Sequence, residues 1–306
     1  MITKIQTHSH EEWLALRHKY IGGSDAAAVV GLNPFSSPLA LWAEKTNKVP
    51  AFEGNLATEV GTYMEEFVAQ KFAQETGKKV RRCNMSILND EYPWAIANID
   101  REIVGEDAGL EIKTTSELNM RKFKGGEYPA NYYVQCMHYL AVTGKQKWYL
   151  AVLIGNREFL WFEIERDEKE IEALMRSEKL FYEFIQNDKE PPADGHRATA
   201  DTLKGMYPDS NGNTVDLLSY ADCVKRYLAL DEQIKNLEEL KDVQANKIKQ
   251  FMGSAERAAN ARYIVSWKTS ERRSFDSKKL FRDHPELNID KYYKTSSLRR
   301  FTIKEN

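Results

Sequence analysis

The stretch that decides the fold reads Asn98-Ile99-Asp100, then ten residues, then Glu111-Ile112-Lys113. Side chains alternate faces along a strand, so Glu111 and Lys113 project together while Ile112 enters the opposite, apolar layer. One face is set for chemistry and the other for packing. If the two segments pair or lie side by side, Asp100 approaches Glu111. Two carboxylates and a backbone carbonyl then make a hard-oxygen site of the kind Mg²⁺ occupies while keeping several waters. Lys113 has the charge to position such a water, help deprotonate it and offset charge on a phosphate. A polar hairpin explains the same spacing taken alone. Gly109, which permits close approach, and an acid-bearing helix upstream add context.

That upstream helix is expected over residues 58–76, where Val60, Met64, Phe67, Val68 and Phe72 recur at helical spacing before Gly77. Glu65 falls at the edge of this stripe and can face a site, whereas Glu66 turns toward water. Strands follow at 80–88, 94–101 and 110–114, then a helix at 132–143 after Pro129, a hairpin of 147–153 with 158–163, and a helix at 168–187. The order of helix, three strands, helix and two strands describes an α/β or α+β core with a mixed sheet. On the second helix Gln135 stands one turn from Tyr132 and Tyr139. Its amide can hold a water, a phosphate or Lys113, or else sit on an exposed face. Cys136 and His138 point apart on a helix, which disfavours zinc and leaves Cys136 to the core.

Nearer the N-terminus, Ser9 and Glu12 fit a capping box, and Arg17 precedes Ile21-Gly22-Gly23-Ser24-Asp25. Two glycine amides, the Ser24 hydroxyl and a following helix can cradle a terminal phosphate, with Arg17 balancing its charge. A tight turn capped by Ser24 or Asp25 explains the same letters, and no G-K-[ST] follows to make a P-loop. Residues 1–195 form the expected core. Residues 196–254 hold a linker and a long charged helix at 219–250, whose narrow stripe of Val224, Leu228, Ile234, Leu237 and Leu240 reads as a packed arm, since strict heptads fail. Residues 255–306 are expected to pair a strand at 263–268 with one at 299–303, around a short helix at 278–282.

The 306 residues carry a formal net charge of -2, which argues against coating an acidic polymer with the whole surface. The charge is uneven: residues 255–306 hold 13 Lys or Arg against 7 Asp or Glu, a basic end on an acidic body. Three cysteines, Cys83, Cys136 and Cys223, provide neither a disulfide framework nor the four thiolates of an iron-sulfur cluster. The first ten residues lack a basic-then-apolar leader, and no run approaches the roughly 18 apolar residues of a membrane span, so a cytoplasmic protein is expected.

Taken together and in order, Arg17, Gly22-Gly23-Ser24-Asp25, Gly61 with Glu65, Asp100, Glu111-Ile112-Lys113 and Gln135 resemble the YqaJ-like viral recombinase family. These are relatives of the bacteriophage lambda exonuclease within the PD-(D/E)xK nuclease superfamily. The resemblance implies a restriction-endonuclease-like core and a Mg²⁺-dependent enzyme, with Mn²⁺ as a substitute and a two-metal site. It implies digestion of the 5′-ended strand of linear double-stranded DNA, leaving 3′ overhangs. By the same resemblance Asp100, Glu111, the Ile112 carbonyl and Glu65 hold metal, Lys113 serves the attacking water, Gln135 supports the site, and Arg17 with Ser24 takes the DNA 5′ phosphate. A ring-shaped homotrimer, a single-strand annealing recombinase as partner, and a phage or prophage origin in a bacterial host are further implications. The superfamily's Pro before the first Asp is replaced by Ile99, which alters geometry but removes no ligand. A DNA endonuclease or nickase, or a catalytically silent DNA-binding scaffold, is the alternative. The basic pairs Arg272-Arg273, Lys278-Lys279 and Arg299-Arg300 lie beyond the matching letters; DNA, another subunit, the annealing partner or plain solvent can meet them.

Overall fold

A computed structural model describes the chain except for His8, Pro285, Asn288, Ile289, Ser297, Glu305 and Asn306, and the side chains of His10 and Asp290. The chain divides into two units, Met1–Tyr207 and Pro208–Asn306. The first begins with β1 (Ile2–Ile5), α1 (His10–Lys19), β2 (Ile21–Gly22), α2 (Gly23–Val29), α3 (Pro38–Lys45) and α4 (Leu56–Thr76). Next come β3 (Val80–Arg82), β4 (Ser86–Asn89), β5 (Ala95–Asn98), β6 (Arg101–Ile103) and β7 (Ala108–Thr115). The unit closes with α5 (Ala130–Thr143), β8 (Lys147–Ile154), β9 (Glu158–Glu165), α6 (Glu168–Gln186) and α7 (Arg197–Met206).

Its centre is a five-stranded mixed sheet of order β3-β6-β7-β8-β9, in which β7 and β8 run parallel over eight residue pairs and the flanking pairs are antiparallel. Parallel neighbours need a crossover, and α5 supplies it. On one face of β7, Leu110 and Ile112 pack with Val68, Ala69 and Phe72 of α4 and with Tyr149 and Ala151 of β8. Trp148, Leu150 and Val152 meet α5 on the other face. Gly109 is required there: a Cβ would come within 2.3 Å of the Trp148 indole, whose ring occupies that space.

A strand covered on both faces ordinarily reads as continuous hydrophobics. In β7 the α5 face instead carries the buried Glu111, an anomaly that marks the site.

The segments expected as single strands at 80–88 and 94–101 each split in two. β4 and β5 belong to a second sheet of order β1-β4-β5-β2, while β3 and β6 edge the central one. The bend between the sheets falls at Ile99-Asp100, which removes Asp100 from both ladders. β1 and the 3₁₀ segment Glu117–Gly126 carry little periodic signal and were not anticipated. On α4, Val68 and Phe72 are buried as expected and Ala69 joins them, but Val60 and Phe67 are exposed, so the packed stripe covers only the C-terminal half. The helix α7, grouped above with the linker, packs on α3 and extends the compact unit to Tyr207.

The second unit contains α8 (Ala221–Met252), the antiparallel pair β10 (Arg257–Ala259) and β11 (Ile264–Ser266), and α9 (Ser277–Asp283). Along the stripe of the long helix Val224 and Leu228 are half-buried, while Ile234, Leu237 and Leu240 are exposed. The expected strand at 299–303 is not formed either. β11 pairs with β10 across a short turn in which the Asn260 side chain accepts from the amides of Arg262 and Tyr263. Closing a loop of a few residues costs less chain entropy than pairing across more than thirty. Among the described residues, no helix is long and apolar enough to cross a membrane.

Candidate active site

Asp100 is held by the strand it faces. Pairing of β6 with β7 reaches only Leu110, so the Ile112 amide has no ladder partner on that edge. The Asp100 Oδ2 atom accepts from it at 2.8 Å and replaces the missing strand. The two main-chain groups of one strand residue point to the same edge, which turns the Ile112 carbonyl toward Asp100 as well. On the neighbouring residue, Glu111 Oε1 accepts from Lys113 Nζ at 2.6 Å and from Gln135 Nε2 at 2.7 Å. Gln135 donates its second hydrogen to the Tyr139 hydroxyl at 2.9 Å, which fixes the amide. The alternative of an exposed Gln135 is therefore overturned: the residue is buried and directed at Glu111. Lys113 Nζ also lies 5.5 Å from the centre of the Tyr132 ring, a cation–π contact.

The remaining oxygen, Glu111 Oε2, is buried and has no hydrogen-bond partner among the described residues. An orphaned acceptor in a low-dielectric setting costs free energy unless a cation or water meets it. Burial and then the Glu111 charge push the Asp100 carboxyl up to about 7. Burial likewise raises Glu111, against the pull of Lys113. Burial works against the charge on Lys113, but the attraction of Glu111 outweighs it and raises that amine above its ordinary value. One ammonium thus serves two buried acids. The donor set fits a divalent ion: two carboxylates with uncompensated charge, an unused lone pair and a carbonyl, all hard oxygens.

Glu65 is half-buried, and burial followed by the nearby Asp100 charge raises its carboxyl. Its closest charged partner is the buried Arg101, at 3.8 Å, which also takes the more exposed Glu66 at 3.1 Å. Among the described residues no three His, Cys, Asp or Glu side chains close on one point as a ready metal cage. Mg²⁺ is ordinarily bound by one or two carboxylates and keeps waters, so the Asp100–Glu111 pair satisfies its needs without Glu65.

Residues 12–146 match the YqaJ-like viral recombinase domain family. Protein YqaJ of Bacillus subtilis (strain 168) is 38% identical over 311 residues, covering 100% of this chain and 97% of that relative. The chain belongs to the YqaJ-like viral recombinase family. Its fold is shared with the alkaline exonuclease LHK-Exo of Laribacter hongkongensis, solved in complex with dAMP. The match has a TM-score of 0.50 and 21% identity, and covers 58% of this chain and 93% of that one. The architecture is accordingly the mixed-sheet α/β core expected from the sequence, in the fold of that exonuclease.

In this YqaJ-family chain the N-terminal element is built differently from the phosphate cradle expected above. Gly22 donates its amide to Asp25 Oδ2 at 3.0 Å, so that amide is taken by the cap. Gly23 is buried against Tyr139, where a Cβ would come within 2.5 Å of the ring. Gly22 therefore serves the cap and Gly23 the packing. Arg17 and Ser24 are brought together, with the guanidinium donating to the hydroxyl at 3.2 Å. Asp25 is buried and paired with buried Lys45 at 2.7 Å. Burial opposes its charge, but Lys45 and then Arg17 win and hold the carboxyl below its ordinary range.

Sequence reasoning placed Tyr139 beside Gln135 without assigning it the contact, and missed Arg101, Lys45 and the His138–Glu178 pair. His138 is fully buried, its Nε2 facing the Ile96 carbonyl at 3.0 Å and its Nδ1 facing Glu178 at 2.8 Å. A carbonyl only accepts, so Nε2 carries a proton. The imidazole thereby pins α5, which bears Gln135, to β5, which leads into Asp100. A signal for Tyr139 existed: it follows Gln135 by one helical turn.

Proposed function

We propose that this chain is a metal-dependent deoxyribonuclease that digests the 5′-ended strand of linear double-stranded DNA and leaves a 3′ single-stranded overhang. The single observation that carries this reading is the buried, unpartnered Glu111 Oε2 beside Asp100, with Lys113 as the one ammonium in direct contact. Family membership and the exonuclease fold support it.

Asp100, Glu111 and the Ile112 carbonyl are the residues to hold a divalent ion, with Mg²⁺ favoured and Mn²⁺ able to substitute. Such an ion supplies Lewis-acid charge at a phosphoryl oxygen and an acidified water. The chain's own groups do the rest. Gln135 ties down Glu111 Oε1 and leaves Oε2 directed away from the helix. Lys113 stays protonated beside Glu111 and brings a positive charge to the phosphate oxygens, where charge accumulates during in-line displacement. Arg101 holds Glu65 and Glu66 against the edge of the site and keeps the acidic cluster from repelling the substrate. Arg17 and Ser24 form a donor pair suited to a terminal phosphate, and their end recognition separates an exonuclease from a nuclease cutting internally. Assembly into a homotrimer and delivery of the overhang to a single-strand annealing recombinase complete the proposal.

The test is product analysis on linear duplexes carrying separate 5′ and 3′ labels, with Mg²⁺ and in EDTA, beside covalently closed circular DNA. Mononucleotides released from the 5′-ended strand, with the circle spared, are expected. Cutting of the circle would instead identify an endonuclease, and DNA binding without soluble product a silent scaffold.

A further inference from the structure

The second unit presents two kinds of group together. Its C-terminal part, residues 255–306, is where the chain's basic excess lies. Among the described residues, the pairs within this part are Arg282–Asp283 and His284–Glu286. Aromatic rings are exposed in the same stretch: Phe275 at 77%, Tyr292 at 76% and Tyr293 at 70%, with Tyr263 and Trp267 also open. Two of these rings already lie under cations, Arg262 over Tyr263 at 5.3 Å and Lys291 over Tyr292 at 5.1 Å.

A groove of about 540 Å³ gathers both chemistries, with Arg273, Phe275, Lys279 and His284 among its walls. Its two acids are occupied. Asp276 caps α9 by accepting from the Lys279 amide at 2.9 Å, and Asp283 meets Arg282 at 3.4 Å. With Arg282 counted beside its partner Asp283, the groove has three cationic side chains, Arg273, Lys279 and Arg282, against two carboxylates, next to an open ring face.

Exposed aromatics cost free energy in water, and a purely electrostatic duplex-binding surface has no use for them, because paired bases hide their faces in the stack. A single strand offers both partners: phosphates for Lys and Arg, and unstacked bases for Phe, Tyr and Trp. We propose that Trp267, Arg272, Arg273, Phe275 and Lys279, with the neighbouring Tyr292 and Tyr293, belong to a second nucleic-acid site that binds single-stranded DNA by stacking and charge. The choice of DNA over other polyanions rests on the nuclease reading above, since that reaction produces such a strand.

The test uses the full-length chain in EDTA, so binding is read without cleavage and independently of whether the chain is a nuclease. Fluorescence anisotropy is measured with a 20-nucleotide oligo-dT, an abasic phosphodiester of equal length, and a 20-base-pair duplex. Phe275→Ala with Trp267→Ala is expected to weaken oligo-dT binding about 10-fold, in line with the loss of one or two base stacks. The same pair should leave the abasic strand and the duplex within about 2-fold. Arg272→Ala with Arg273→Ala should weaken oligo-dT and the abasic strand alike and lower the salt dependence by about one to two phosphates. Unchanged oligo-dT affinity in both variants overturns the proposal. So does an equal loss on duplex and single strand in the aromatic variant, which would make the surface a general DNA or protein contact. Melting curves of each variant verify folding, and Tyr292→Ala with Tyr293→Ala gives an independent aromatic pair. A failed nuclease assay alongside retained oligo-dT discrimination would count against the Glu111 centre alone.

Discussion

Two of the buried acid centres in the first unit, at Asp25 and at Glu111, are built to opposite rules. At Asp25 one carboxylate meets one ammonium, Lys45, with the Gly22 amide taking the same Oδ2 atom. The charges balance, and the carboxyl is held low. At Glu111 two neighbouring acids share Lys113, one oxygen has no partner, and burial with mutual repulsion pushes Asp100 up to about 7. A balanced buried pair is a structural joint, here tying α2 to α3. An unbalanced one is kept at a cost in stability, and that cost points to a ligand that restores the balance.

The largest effect should come from breaking the unbalanced centre. Lys113→Ala is expected to lower cleavage of linear duplex DNA by about 1,000-fold, near 4 kcal/mol of barrier, in a single-turnover assay. Its melting temperature should fall too, because Glu111 loses its buried counter-charge, so rates are compared at a temperature where the variant is shown to be folded. The balanced centre should respond the other way. Lys45→Met leaves the Asp25 charge buried and unpaired, and urea unfolding should show a loss of about 3 kcal/mol or more. Because Lys45 holds the folded-state carboxyl of Asp25 low, that stability is complete above about pH 4, the unfolded value. It fades as pH falls through the lower folded value, so the gap between wild type and Lys45→Met should narrow in acid.

Asp100→Asn sharpens the contrast. Asp100 has a raised folded-state value, so in metal-free protein its charge costs stability as pH climbs from about 4 through 7. At pH 8 in EDTA the variant should exceed wild type by about 2 kcal/mol, less than an isolated shift of that size would give because Glu111 shares the proton. At pH 4 the two should coincide, and calorimetry across the series checks both ends. The smallest expected effect is at Arg17, which borders Asp25 but pairs with exposed Ser24. Arg17→Ala should reduce a preference for 5′-phosphorylated over 5′-hydroxyl ends by about 10-fold, roughly one charge-assisted hydrogen bond, with little change in stability.

Much of the unbalanced centre is legible in the sequence because a strand's alternation is local. Glu111-Ile112-Lys113 fixes which side chains share a face before any partner strand is known, and Gln135 can be suspected from its place among aromatics. The position of Asp100 is less legible. It depends on a bend that sends β5 and β6 into different sheets, and the strand-like letters of 94–101 run straight through that bend. The Asp25–Lys45 and His138–Glu178 pairs are separated by 20 and 40 positions, so only tertiary packing joins them. The glycines at 22 and 23 illustrate the reverse problem. Their letters fit a phosphate cradle, but a nearby Asp25 and a distant Tyr139 use them for capping and close packing. In the second unit the local β10–β11 pairing departs from expectation because closing a short loop costs less chain entropy than pairing distant segments.

The central claim is that Asp100, Glu111 and Lys113 act as one reaction centre, and a double-mutant cycle tests it most directly. Single-turnover cleavage of a 5′-labelled linear duplex in Mg²⁺ is measured for wild type, Glu111→Gln, Lys113→Ala and the double variant. The double variant should be about as slow as the worse single one, since groups that work as a unit are lost together. Losses that multiply across the two sites, or cleavage that survives Glu111→Gln in folded protein, would contradict it.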